Sequence, residues 1–577
     1  MKKSKRFLCV LLAAIMTSSM LVGCNSNSNS SGGTSSTAND TSSTTSEVST
    51  GETGYTSSTG IAISDPGEYP IVDETYNLDV FIRQAADISD LETNEVTKAM
   101  EELTNVHLDM TVATEDAYTE KLNLLLNTGD YPSVIMSAGF SNADLVKYGS
   151  EEQIFIPLND LIDTHCVTIK ERWEEHPSWK TDMTTPDGNI YGIPSADSAS
   201  VGHGAASYKL WLNTAWVDEL GMELPETTEE FKELLTAFKN DDPNGNGVAD
   251  EIPLTGANGT WAADPWLFLL NSFGYYNENL LMLKDDTFTG VANQDYIRDG
   301  LAYINELYNE GLLDPAAFTQ NEQQMSAIGN NSDTVIMGGV TAGHLGMAVS
   351  PNDVERASMY EALLPLEGPN GYRGTPFTEE LQVSGAAWVI TDACKDPEIA
   401  IKWADALCQE DMVVQSQVGT KGEQWDDADP DTFGMDGTTP ATRKYLEFST
   451  SGEGAVNYKW GWTQRLLEPD WKNTFQVVGD IRDTDNYEAF LIQETEKLRP
   501  YAADVQQIPA FYMTEEQSSR LSQISTPLTD YVKSSFVEFI TGKKSLDTDW
   551  DAYVSGLENL NYSEYIQIYQ DAYDSLS

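Results

Sequence analysis

Apolar and polar positions change rhythm along this chain, and each rhythm predicts an element. Asn77–Arg83 (NLDVFIR) is short and β-rich. Leu91–Asn105 then places Val96, Met100 and Leu103 on one helical face, with Thr93 as the expected cap. Val106–Val112 alternates as a strand. Ala117–Asn127 is amphipathic through Tyr118, Leu122 and Leu125, and Gly129 is placed to stop it. Pro132–Met136 (PSVIM) is a further apolar strand. Strand–helix–strand–helix–strand predicts a parallel α/β sheet. Open sheets of this kind bind ligands outside the carboxyl ends of their strands, which points to the loops Gln84–Asp90 and Ser137–Asn142. The mixed pattern continues through a turn into a short strand at Asp187–Pro194, a strand at Tyr208–Leu212, and helices from Thr214 and over Thr228–Asn240. Residues 295–311, 394–410 and 485–499 read as helical, and the chain after Thr526 is mostly helical and acidic. No internal repeat emerges.

The first residues follow other rules. Lys2, Lys3, Lys5 and Arg6 form a basic head, and Phe7–Ile15 is an apolar run. It is too short to span a bilayer, which takes about 20 residues. Small residues and Leu21-Val22-Gly23-Cys24 complete a secretory signal over 1–23. The Leu-x-Gly-Cys ending resembles a bacterial lipobox, in which Cys24 becomes the acylated first residue. One acyl chain holds a protein only marginally, so an anchor of two or three chains is expected. Residues 24–60 read as this lipidated cysteine and a flexible tether rich in Ser, Thr, Gly and Asn, with a reach of about 30–35 Å. No later segment approaches 18 apolar residues. The expected location is the extracellular face of the cell membrane, held through the lipid anchor only.

Composition narrows the partners. The 577 residues carry 33 Lys+Arg against 92 Asp+Glu, a formal charge of −59. Such a chain does not neutralise phosphates, so nucleic acid is excluded, as is docking on anionic lipid through a basic patch. With 40% hydrophobic residues the bulk of the chain is not disordered. Its length suggests about three to four units of roughly 150 residues. Beyond Cys9 and Cys24, three cysteines remain. Cys394 and Cys408 flank an expected helix that would separate them by about 21 Å, beyond disulfide reach. Together with Cys166 they read as small buried apolar residues.

The sharpest motif is a calcium-type loop. Asp242, Asn244, Asn246, Asp250 and Glu251 place oxygen side chains at loop positions 1, 3, 5, 9 and 10. Gly247 sits at the sharp turn, and Val248 offers its carbonyl. Alternate positions of a tight loop converge on one point, as a hard cation with six to eight oxygen ligands requires. The loop departs from an EF-hand in having Pro253 where position 12 needs Glu. A structural Ca²⁺ is the expectation.

Catalytic motifs are missing by contrast. His107, His165, His176, His203 and His344 form no close ligand pair, and each reads as an ordinary structural histidine. No nucleophile elbow, phosphate loop or dinucleotide fingerprint appears. Among 92 acids a glycosidase carboxylate pair is unreadable. Trp261, Asp264 and Trp266 do stand out, because aromatic faces stack on sugar C–H faces while carboxylates accept from hydroxyl pairs. Core packing at a helix start would place the same residues there. Trp388 reads as a core strand residue, and Trp460 and Trp462 as either core or site.

In order, these pieces resemble the extracellular solute-binding lipoproteins of bacterial ABC importers, of the family 1 sugar-binding type. The likeness rests on the lipobox, the start at 77–105, PSVIM, DGNIYGIP, YKLWLNTAWVDELGM, TTEEFKELLTAFK and CKDPEIAIKWADAL. DPNGNGVADEIPLT is similar to the calcium loop of the long members. The resemblance implies an α/β, two-lobed periplasmic-binding-protein-like fold of type II. Lobe one would hold 70–195 and 372–410. Lobe two would hold 200–368 with 411–577 as a helical extension. Hinge crossings are expected near Ile193–Ser207 and Gly368–Phe377. It also implies ligand contacts at Gln84, Asp87, Phe140, Ser141, Trp261, Asp264, Trp266 and, more weakly, His344. The expected activity is capture of a neutral oligosaccharide by a monomer and delivery to ABC permease subunits, with no catalytic residues. The alternatives are a peptide or other-solute binder, a sensor partner, or a tethered surface glycosidase.

Overall fold

The computed structural model describes residues 54–576 apart from 86–87, 197–201, 332, 379–382, 384, 447–454, 462 and 467–470. The signal, Cys24, most of the tether, Asp87 and Trp462 lie outside the described residues.

The first lobe forms as its periodicity predicts. β1 (Tyr76–Gln84) pairs in parallel with β2 (Val106–Thr114) along its whole length and with β3 (Val134–Phe140) from Val80 to Ile82. Between them run α1 (Glu95–Thr104) and α2 (Glu115–Thr128). Gly129, at φ +74°, ends α2 as expected. The cap of α1 is Asn94 rather than Thr93. Asn94 accepts from the Val96 amide at 3.0 Å, while the Thr93 hydroxyl donates to Asp90 at 2.6 Å and is thereby taken. β3 runs four residues beyond Met136, so the carboxyl-end loop begins at Ser141.

A short antiparallel hairpin, Tyr55–Thr56 with Ala62–Ile63, precedes β1 and corrects the expected extent of the tether. The Ser58 amide and hydroxyl donate to Glu398, and those of Thr59 to Asp396. Serine and threonine that read as linker are here hydrogen-bond donors to a helix start, and the folded body begins by Gly54.

The second lobe is built on β4 (Leu210–Asn213), flanked by antiparallel β5 (Gly339–Thr341) and β6 (Tyr360–Ala362). The segment Ile252–Thr255 runs parallel beside β5. α3 (Thr228–Asn240) opens with a Thr227–Glu230 capping box and buries Phe231, Leu234, Leu235 and Phe238. α4 (Pro265–Leu269) is buried throughout. The chain then returns to the first lobe as β7 (Ala386–Ile390), antiparallel to β3, with Trp388 in the core. α5 (Pro397–Leu407) follows. The lobe-one core runs to Ala196 and resumes at Val383, while the lobe-two core runs from Leu210 to Leu366.

The C-terminal extension divides instead of joining lobe two entire. Val413, Val414, Trp425, Met435, Trp471 and Phe475 make a small core of their own. This part leans on lobe one: Arg465–Leu466 pairs with Ser195–Ala196, and the Trp460 indole donates to Thr97 at 2.9 Å. α6 (Tyr487–Glu496), α7 (Glu515–Ile540), α8 (Trp550–Asn559) and α9 (Tyr562–Asp574) pack on lobe two. The division follows from where the apolar anchors fall, and no long helical period marks it in the sequence. Cys166 and Cys408 are buried, Cys394 is partly so, and all three are free. Among the described residues no helix is long and apolar enough to cross a membrane.

Candidate functional site

Strand direction decides where lobe two can hold a ligand. The carboxyl ends of β5 and of Ile252–Thr255, and the amino end of β4, meet at one edge of the sheet. Three loops leave that edge, carrying Trp261, His344 and His203. The ring centroids of Trp261 and His344 are 6.1 Å apart, those of Trp261 and His203 6.5 Å, and those of the two histidines 6.1 Å. Gly343 makes the approach possible, because a Cβ there would lie 2.3 Å from the Trp261 ring.

Trp261 is 45% exposed, whereas every other described tryptophan is at most 7% exposed. The remaining indoles are spent on the cores; this one is left in water beside two imidazoles. Burial holds the His344 imidazole down to about 4, with His203 adding to the effect, so His344 is neutral at physiological pH.

Beneath the rings lies Lys209, 1% exposed. Its ammonium donates to the carbonyls of His203 (2.7 Å), Gly343 (3.3 Å) and Ala206. One buried cation thus ties the loop of His203 to the loop preceding His344. Burial lowers its basicity to about 7. The Thr378 amide donates to the Ala205 carbonyl at 2.8 Å, which places the second crossing against the first next to this site.

The other expected contacts separate into two groups. Gln84 is partly buried at the end of β1, donating to the carbonyls of Ile88 and Ser89, and Ser141 caps the helix start after β3. Both lie at carboxyl ends of lobe-one strands. Phe140 and Trp266 do not present a face to ligand. Phe140 is 4% exposed and packs 4.7 Å from Phe155. Trp266 is 2% exposed and stacks on Phe318. Phe140 ends a strand packed into the lobe-one core and Trp266 lies in a helix buried all round, so both rings are taken up by packing. Asp264, also 2% exposed, faces Lys533 at 3.8 Å with its Oδ1 unpartnered. Burial, only partly offset by Lys533, pushes this carboxyl up to about 7.

The calcium-type loop is closed on itself. Asp242 accepts from the Asn246 and Gly247 amides, and Asp250 accepts from the side chains of Asn244 and Asn246. Val248 donates its amide to Asn246. Gly247 has φ +74°, as the sharp turn needs. Glu251 Oε1 is buried without a partner, and burial followed by the charges of Asp250 and Asp242 raises its pKa. Among the described residues no three His, Cys, Asp or Glu side chains gather into a metal site by themselves. A cation here would need the asparagine and main-chain oxygens as well. The crowded carboxylates and the orphaned Glu251 oxygen fit such a cation.

His203, Lys209 and the residues behind them were not legible as a site. His203 lies 285 positions from Glu488 and Lys209 lies 134 from Gly343, and no spacing connects them.

A family profile described as bacterial extracellular solute-binding protein matches residues 95–422. The fructooligosaccharide ABC transporter substrate-binding protein FusA of Streptococcus pneumoniae serotype 4 is 30% identical over 505 residues, covering 86% of this chain and 89% of that one. The structure of S. pneumoniae FusA in complex with kestose superposes with a TM-score of 0.67 at 29% identity, covering 87% of this chain and 99% of that chain. An EF-hand mutant of FusA in complex with fructo-nystose gives a TM-score of 0.66 at 28% identity over the same shares. An HMO-binding, ABC-transporter-associated solute-binding protein from Bifidobacterium longum infantis shares the fold, with a TM-score of 0.70 at 20% identity, over 87% of this chain and 99% of that one. The two-lobed α/β architecture is therefore that of the solute-binding proteins, and this chain belongs to the bacterial extracellular solute-binding protein family.

Proposed function

We propose that this chain is the substrate-binding protein of an ABC importer and that it captures a neutral oligosaccharide between its lobes, with Trp261 as the stacking platform. The observation that carries this reading is the exposed indole at 45%, in a protein that buries its other described tryptophans. An indole left in water costs apolar burial and gains it back when a sugar face covers it. His344 offers a neutral imidazole beside it, and Gln84, Asp87 and Ser141 would meet the ligand from lobe one. The acidic chain disfavours a polyanionic ligand, and FusA, the relative at 30% identity, is described as a fructooligosaccharide-binding protein.

The activity is binding without turnover. Differential affinity for the closed arrangement drives the hinge, and the closed form is what a permease would accept. Cys24 would carry the lipid anchor on the extracellular face, with the protein acting as a monomer. Asp242, Asn244, Asn246, the Val248 carbonyl, Asp250 and Glu251 would hold a structural Ca²⁺, which supplies the positive charge that the loop lacks. The test is calorimetric titration with neutral oligosaccharides of two to six residues, kestose among them. Saturable binding by the wild type, no product formed, and loss of binding in Trp261→Ala are expected. Hydrolysis of the ligand, or unchanged affinity in the variant, would contradict the reading.

A further inference from the structure

We propose that His203 is a ligand-contacting residue of this site, and that Glu488 and Lys472, supplied by the C-terminal extension, position it. The inference rests on the oligosaccharide reading and gives the extension a part in recognition.

The two ring nitrogens of His203 are in different surroundings. His203 Nδ1 lies 2.9 Å from Glu488 Oε1. A carboxylate only accepts, so Nδ1 carries the proton in that bond. Glu488 is ionised: burial alone would raise its pKa, but the bond from His203 and the charge of Lys472, 2.7 Å away, hold it well below the usual carboxylate range. With Nδ1 committed, Nε2 is the imidazole's remaining polar atom, and it makes no hydrogen bond to a described residue. The side chain keeps 21% of its surface.

The main chain of His203 is fixed as firmly as its ring. Its carbonyl accepts from the Lys209 ammonium at 2.7 Å and from the Thr495 hydroxyl at 3.3 Å. Thr495 and Glu488 both belong to α6, whose Phe490 packs 5.8 Å from Trp211, and the Trp211 indole donates to the Ala342 carbonyl at 3.1 Å, next to Gly343. A continuous run of packed side chains therefore sets His203 against the loop of His344. The charged groups facing this histidine are Glu488 and Lys472 from the extension and Lys209 from β4's approach, with Glu494 of α6 acting on Lys209.

Burying a lysine and an ion-paired carboxylate is expensive unless each is matched. Here the carboxylate is matched by the His203 imidazole and Lys472, and the lysine by main-chain carbonyls that include that of His203, so both hold one residue whose ring lies 6.5 Å from the exposed indole. A histidine that merely docked α6 would need no such double hold. A preorganised nitrogen beside a stacking platform is what a sugar hydroxyl requires, because little ordering is left to do on binding.

The experiment uses the purified chain, the same panel of neutral oligosaccharides including kestose, and selectively labelled histidine. His203→Ala should weaken the tightest panel member about tenfold, the size of one hydrogen bond to a charged or fixed partner. Glu488→Gln, which keeps the shape and removes the charge, should weaken it about threefold to tenfold while the chain stays folded. In the same variant the His203 Nδ1–H resonance should move upfield. Lys472→Met is the second variant and should act in the same direction. Wild-type affinity in His203→Ala or in Glu488→Gln, with Trp261→Ala still losing ligand, overturns this inference and leaves the oligosaccharide reading standing. A wild type that binds no panel member overturns both.

Discussion

At the scale of single residues, burial decides what each candidate can do. Trp261 and Trp266 are five positions apart and looked equivalent in sequence, yet one is exposed and the other stacks on Phe318 inside lobe two. The difference lies in the loop: Trp261 precedes the helix and leans on Gly343, whereas Trp266 falls within a helix that is buried all round. Asp264, between them, is the residue for which pH gives the clearest test. Its carboxyl is raised to about 7 in the fold, against an unfolded value near the ordinary 3.8. A raised acid favours the folded state while protonated, so this contribution is present below about pH 4 and is lost as pH climbs to about 7. Asp264→Asn should therefore raise the melting temperature at pH 8 and change it little at pH 4. Equal shifts at both values would contradict a buried, poorly compensated carboxylate.

At the scale of elements, the sequence was most readable where local periodicity and packing agree. β1, α1, β2 and α2 fall within a few residues of their predicted bounds, because each buries one face at its own period. The C-terminal third was less readable. Its cores are joined by isolated anchors such as Trp460 on Thr97 and Phe490 on Trp211, which leave no period to detect. His203 was hidden for the same reason, since it meets Glu488 only through the tertiary fold. The calcium-type loop is the opposite case: its ligand spacing was visible in ten consecutive residues. If it holds Ca²⁺, the ion at about 100 times its dissociation constant adds roughly 2.7 kcal/mol of stability. Asp250→Ala should then lower the melting temperature in calcium and leave it unchanged in chelator. An equal loss in both media would show that Asp250 serves only as the acceptor for Asn244 and Asn246.

At the scale of the whole molecule, the two lobes carry separate cores, joined by crossings next to the exposed indole. A third connection strengthens the link: on the way into α7 the Tyr512 hydroxyl donates to the Asp182 carbonyl of lobe one at 3.0 Å. Capture by closure predicts that small-angle scattering shows a smaller radius of gyration when saturating oligosaccharide is added. An unchanged radius at saturation would mean that the ligand binds one lobe alone. The hairpin that precedes β1 is held to lobe one by Asp396 and Glu398. The most direct test of the central claim remains calorimetric titration of the wild type and Trp261→Ala with the neutral oligosaccharide panel. Saturable, product-free binding by the wild type that is abolished in the variant, with the fold intact, is the predicted result. Equal affinity in the two proteins would contradict it.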